Sequence, residues 1–163
     1  MKDIYLTTTL KDKYMKDFTE NVLHGQFWPL DEGLPEILTD INKNPKVQTL
    51  YSKKCQCVNW GDEDSYFEFC YSQDLELNIF QSIIPNLIYE FNADTKSRLG
   101  YLFQHPKLNP NFHADKPKKG IGCIDDVNYF NVNNIKIILH STDKQTHDDF
   151  WTKIQKTFGQ LGL

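Results

Sequence analysis

The stretch that most constrains this chain is residues 47–73, where Tyr66-Phe67-Glu68-Phe69-Cys70-Tyr71 sets aromatic residues at alternate positions. Aromatic side chains fit a pleated, half-buried surface, and a strand puts i and i+2 on one face. Phe67, Phe69 and Tyr71 therefore share a face, with Glu68 and Cys70 on the other. Before this strand come residues 47–60 and the acidic stretch Gly61-Asp62-Glu63-Asp64. The pattern predicts a long β-hairpin: 47–60 out, 61–64 as the turn, 65–73 back.

A four-residue loop over 61–64 sets the register. Trp60 then faces Ser65, and Cys55 faces Cys70. Val58 and Trp60 join the aromatic face as the core side. Lys53, Cys55, Cys57, Glu68 and Cys70 take the opposite face. A slip of one residue would exchange the two faces.

The rest of the chain reads as helices and shorter strands around this hairpin. Leu10, Tyr14, Phe18 and Val22 recur every four residues, an apolar helical stripe with Thr9 as N-cap and Gly25 as terminator. Residues 26–33, with Phe27, Trp28 and Pro29, are a connection. A second helix starts at Pro35, a residue suited to a first helical turn, and carries Leu34, Ile37, Leu38 and Ile41. After the hairpin, 75–79 alternates like a strand, whereas Leu77, Phe80, Ile84, Ile88 and Phe91 also fit a helix. Pro85 opposes one uninterrupted helix, so a strand or short turn to Phe80 and a helix over 85–93 are expected. Residues 99–103 form a short strand. Residues 121–132 are strand-like with a break at Asp125-Asp126, and 135–140 alternate as a further strand. Phe150, Ile154, Phe158 and Leu161 make the stripe of a closing helix. Thr146 caps it, and the acids of His147-Asp148-Asp149 suit the positive end of its dipole.

A chain of 163 residues without a composition break is read as one domain, 1–163, large enough to bury a core without staples. The formal charge is −4, and Arg98 is the single arginine. Arginine is the usual residue for bidentate phosphate and guanine contacts, so nucleic acid is not an expected partner. No apolar run reaches the ~20 residues of a membrane helix, and the N-terminus lacks a signal-like apolar core. A cytoplasmic protein with reduced thiols and no membrane partner is expected.

No set of residues makes a catalytic or cofactor signature. Cys55-x-Cys57 lacks the second matching pair of a zinc site, and Cys123 stands alone. Small buried thiols, no metal and no cofactor are expected. The stretch 105–120, with Pro106, Pro110 and Pro117, is longer than most structureless loops, which when this long are functional or disordered. His113-x-Asp115 there has the proximity of a base and its orienting carboxylate, yet no nucleophile pairs with it. Lys116-Pro117-Lys118-Lys119-Gly120-Ile121-Gly122 lacks the strand before and helix after that a phosphate loop needs, and reads as a solvated basic loop. The acids Asp31-Glu32 and Asp125-Asp126 suit solvated turns. Asp62, Glu63 and Asp64, flanked by Trp60 and Tyr66, form the candidate partner-binding surface: acidic, with aromatic anchors.

The fold class expected is α+β: an antiparallel sheet of four to six strands built around the long hairpin, with helices mainly on one side. In size, acidity, poor motif content and α+β pattern the chain resembles bacterial toxin immunity proteins of the contact-dependent growth inhibition type. That resemblance implies an inhibitor that blocks a cognate basic toxin, a nuclease being one such toxin, by electrostatic steering and aromatic anchoring. The alternative is a small cytosolic hydrolase with its site on 105–120.

Overall fold

The computed structural model describes residues 4–23, 31–93, 95–104, 123–124, 127–128 and 132–163. Helix α1 spans Thr8–Asp17 and runs into a π-helical turn, Phe18–Leu23. Helix α2 is Leu34–Asn42. Strands β1 (Val47–Lys53) and β2 (Asp64–Tyr71) follow. A helical run then takes in a 3-10 turn (Gln73–Leu75), α3 (Glu76–Asn78), a π turn (Ile79–Ile83) and α4 (Ile84–Phe91). Next come β3 (Ser97–Gln104), the two-residue strands β4 (Cys123–Ile124) and β5 (Val127–Asn128), β6 (Asn134–Ser141) and α5 (Lys144–Gln160).

The fold is α+β. Its four-stranded sheet has the order β1-β2-β6-β3, antiparallel throughout, and among the described residues β4 and β5 form a separate antiparallel pair. The aromatic face of β2 carries the core. Phe67, Phe69 and Tyr71 are buried with Ile135, Ile137 and Leu139 of β6, and α2, α4 and α5 cover them. Phe158 of α5 lies over both Phe67 and Phe69, at ring-centroid distances of 5.1 and 4.6 Å. Phe150, Trp151, Ile154, Phe158 and Leu161 are all buried, so the stripe predicted for the closing helix is the one that docks.

Helix α1 serves the other face. Leu10 and Tyr14 pack with Leu6, Leu50, Cys70 and Val132 in a second, smaller cluster, and Phe18 reaches the main core. Most helices are thus on one side of the sheet, with α1 on the other.

Side-chain amides fasten the elements to one another. Asn42 Nδ2 donates to Thr49 Oγ1 (2.8 Å), and its Oδ1 accepts from Thr49 N (2.9 Å), tying the end of α2 to β1. Asn44 Nδ2 donates to the carbonyls of Phe158 and Leu161 at the end of α5, where helix carbonyls lack partners of their own. The chain turns away there at Gly162, φ +77°, where an added Cβ would lie 2.6 Å from Leu75 Cδ2.

Several expectations are corrected. Where a strand or short turn is expected up to Phe80, a 3-10 turn opens a continuous helical run. Pro85 is accommodated because the π turn ends just before it, which leaves Pro85 in the first turn of α4, where a missing N–H costs little. The cap of α1 is Thr7, whose hydroxyl accepts from Leu10 N, in place of Thr9. The cap of α5 is Asp143, which accepts from Thr146 N and Oγ1, in place of Thr146. The outgoing hairpin strand ends at Lys53 and not at residue 60, so the connection is ten residues, 54–63. The register differs accordingly: Gln48 faces Cys70, Thr49 faces Phe69 and Lys53 faces Tyr66, with a bulge between Thr49 and Ser52. Gly25 and residues 26–30 lie outside the described residues.

Candidate functional site

The connection 54–63 leaves the ladder because side chains take its backbone donors. Lys54 N donates to Asp31 Oδ2 (2.8 Å), Cys55 N to Ser65 Oγ (2.9 Å) and Cys57 N to Cys55 Sγ (3.2 Å). A tight turn follows, closed by Asp62 N donating to Asn59 O (3.0 Å), with Gly61 at φ +86°. Trp60 occupies the corner of that turn and is fully exposed; Val58 is 76% exposed. Both were expected on the core face of the hairpin. They project into solvent because the chain at 58–60 is not a strand and has no sheet face to point toward.

The acids around Trp60 are bonded from within. Lys53 Nζ reaches Asp62 Oδ1 at 2.9 Å, and this cation holds the Asp62 carboxyl below its ordinary range. His140 on β6 stands between two carboxylates, Nε2 3.1 Å from Glu63 Oε2 and Nδ1 2.8 Å from Asp64 Oδ1. Both are hydrogen bonds only when the ring carries a proton on each nitrogen. Asp64 belongs to β2, opposite His140, and not to a turn. Tyr66 is half-buried on the second face under Lys136, whose Nζ lies 4.1 Å from the ring centroid. Burial and the Glu68 charge push the Tyr66 hydroxyl up. Of the five candidate residues, Trp60 alone is wholly exposed, the three acids follow it in the chain and are bonded to Lys53 and His140, and Tyr66 is set back in the sheet.

Directly inside the connection lies a cluster that the sequence reading did not assemble. Cys55 is buried, Cys57 half-buried, and their Sγ atoms are 2.9 Å apart. Cys55 Sγ also donates to Asp62 O (3.1 Å). Burial and the Cys57 bond push the Cys55 thiol up to about 12. His147, fully buried in α5, brings a ring nitrogen to within 4.8 Å of both sulfurs. His147 stands in the first turn of the closing helix, as the sequence predicts, and there it is fully buried. The two acids beside it act as surface partners, with Asp148 bonded to Lys54 (2.8 Å) and Lys144 (3.3 Å). Cys70, expected opposite Cys55, lies on the other face of the sheet within the smaller cluster.

That second face also buries charge. Glu68 and Lys11 are each under a tenth exposed. Burial lifts the Glu68 carboxyl to about 7 against the pull of Lys136, and burial lowers the Lys11 amine to about 8. Lys11 Nζ donates to Val47 O at 2.6 Å.

Residues 105–120, with His113 and Asp115, the basic run 116–122 and Asp125-Asp126 lie outside the described residues. Among the described residues, no helix is long and apolar enough to cross a membrane. The chain matches no family model, and neither a curated protein nor a solved structure gives a significant match.

Proposed function

We propose that this protein binds and neutralises a basic protein partner through the connection 54–63, in the manner of an immunity protein blocking a cognate bacterial toxin. The observation that carries the reading is Trp60: a fully exposed tryptophan at the corner of a turn, followed in the chain by Asp62, Glu63 and Asp64. An exposed Trp adds nothing to the core, whereas Trp is among the commonest anchors of protein interfaces. Val58 extends the apolar contact. The loop is fastened from inside by Cys55, Ser65 and the Lys53–Asp62 pair, so little ordering is left to cost binding energy. Lys53 and Lys54 are already engaged with Asp62 and Asp148, which leaves Glu63 and Asp64 sharing His140. This surplus of acid, on a chain of net charge −4, steers a basic partner.

The test is a rate measurement on a partner recovered from the host strain, over a salt series. Trp60→Ala is expected to speed dissociation by roughly tenfold or more, the range of an interface anchor. The pair Glu63→Gln and Asp64→Asn is expected to slow association and flatten its salt dependence. Asp62 is left intact, because it braces the loop. Unchanged rates in both variants would place the interface elsewhere. A purified protein that turns over a small substrate, with no protein partner recovered, would overturn the reading in favour of an enzyme.

A further inference from the structure

We propose that Cys55, Cys57 and His147 form a binding site for one thiophilic divalent ion of the zinc class, with His147 Nδ1 and the two sulfurs as ligands and a fourth position open toward solvent. This goes beyond the partner-binding reading and does not depend on it.

The first observation is convergence. One donor atom from each of the three residues lies within 4.8 Å of the others, although His147 is 90 residues beyond Cys57 in sequence. Zinc–sulfur bonds of about 2.3 Å in tetrahedral geometry hold two sulfurs about 3.7 Å apart. The thiol pair, now at 2.9 Å, must open by less than an ångström to take an ion.

The second observation is the tautomer of His147. Nε2 lies 2.7 Å from Ser141 O, and a carbonyl can only accept, so Nε2 carries the hydrogen. The Nδ1 lone pair is left facing Ser65 Oγ at 2.7 Å. Ligating histidines usually donate their other N–H to a carbonyl or carboxylate in this way, which fixes the ring and raises the basicity of the ligating nitrogen. Ser65 is a hydroxyl with a rotor. To clear the lone pair for an ion, its side chain turns to another rotamer and gives up both Nδ1 and Cys55 N.

The third observation is the backbone. Cys57 is the only non-glycine among the described residues with positive φ, at 55°. Such a conformation is uncommon outside glycine, asparagine and aspartate. It turns the chain back so that Cys57 N donates to Cys55 Sγ (3.2 Å) while both sulfurs face the same space. A sulfur that accepts a backbone N–H is the better ligand as a thiolate. Zinc fingers space their paired cysteines by two or more residues, and this turn brings together a pair spaced by one.

On binding, each thiol loses its proton to solvent, and two thiolates balance the dipositive ion. Cys55 gives up its bond to Asp62 O in doing so, so the ion would brace the connection from the same point. Cys57 is half-buried, which leaves a route for ion and water.

The experiment uses the full chain, reduced and stripped by chelator, titrated with cobalt(II) and then displaced by zinc. One equivalent of cobalt is expected to give sulfur-to-cobalt charge-transfer bands in the near ultraviolet, with the visible bands of a tetrahedral ion, and one zinc to bleach them. Cys57→Ser sits on a half-exposed loop position and is expected to fold and to weaken cobalt binding by roughly a hundredfold or more. His147→Gln is expected to weaken it similarly. Should that variant fail to fold, the imidazole contact is read in the native chain as ring-proton resonances of one histidine shifted by the bound cobalt. Absence of the bands in the reduced native chain would overturn the proposal, as would their persistence in Cys57→Ser. So would a Cys55–Cys57 disulfide, two mass units lighter, in protein isolated without oxidant and refractory to metal after reduction.

Discussion

Ser65 Oγ lies 2.7 Å from His147 Nδ1 and also accepts Cys55 N–H at 2.9 Å, so one hydroxyl on β2 joins α5 to the connection 54–63. All three residues are buried. Ser65→Ala leaves a ring nitrogen and a backbone N–H without partners. The cost of buried groups left unsatisfied is about 1–3 kcal/mol. A denaturant midpoint lowered accordingly, with an unchanged slope, is the expected result.

Phe158 and Lys153 give a contrast within one helix. Phe158 is fully buried against Phe67 and Phe69, whereas Lys153 lies on the surface, 3.7 Å from Glu90. Phe158→Ala is expected to cost about 3–5 kcal/mol. Lys153→Ala is expected to change stability by less than about 0.5 kcal/mol. Equal shifts in the two urea midpoints would contradict the packing of α5.

Glu68 makes stability depend on pH. Its carboxyl titrates at about 7 in the folded protein, above the 4.5 of an ordinary glutamate, because burial disfavours the charge. As pH rises from 4.5 the unfolded chain releases this proton first. Stability is therefore lost between about 4.5 and 7 and stays lost above that. The full span corresponds to about 3 kcal/mol, an upper figure. Glu68→Gln is expected to gain stability relative to the native chain at pH 8 and to gain little at pH 4.5. Equal differences at both pH values, measured in one denaturant series, would sink this account. Lys11 acts in the opposite window: its amine, lowered to about 8, costs stability as pH falls from 10.5 toward 8.

Gly61 separates the shape of the connection from its side chains. An added methyl meets nothing within 4 Å, yet φ is +86°. Gly61→Ala is expected to cost about 1 kcal/mol through the backbone alone. If Trp60 is an anchor, this variant also speeds partner dissociation, because it moves the corner on which Trp60 stands. Altered stability with unaltered dissociation would separate the turn from the interface.

The sequence made β2, β6, α2 and α5 legible, because each carries a strong period of one kind and buries it. Leu34, Leu38 and Ile41, and Phe150, Ile154 and Phe158, are the residues both expected and found in the core. What it hid were positions where side chains overrule the backbone pattern. Cys55 and Cys57 alternate as a strand would, yet Asp31 and Ser65 capture the donors that a ladder needs. Residues 75–79 alternate as well, but Leu75 and Ile79 are buried on one side of a helical run while Leu77 is exposed. Alternation over five residues fits both readings, and the wider π turn removes the objection raised by Pro85. His147 was hidden for another reason: nothing near it in sequence names Ser65, Ser141 or the thiols as its neighbours.

The strand order β1-β2-β6-β3 has a temporal consequence. The strand that joins the two halves of the sheet, residues 134–141, is made after the other three strands of that sheet, and the helix that seals its apolar face follows it. While a ribosome is still adding residue 130, β2 and β3 have no partner between them, and the rings of Phe67 and Phe69 have no Phe158 to cover them. Contacts of long sequence separation close slowly, because the loop entropy is lost before the contact repays it. The nascent chain therefore carries an exposed aromatic strand until β6 and α5 have emerged. Chaperone demand should fall sharply only when residues 134–160 have emerged, and a chain stopped before Asn134 should aggregate in place of folding to a smaller native unit.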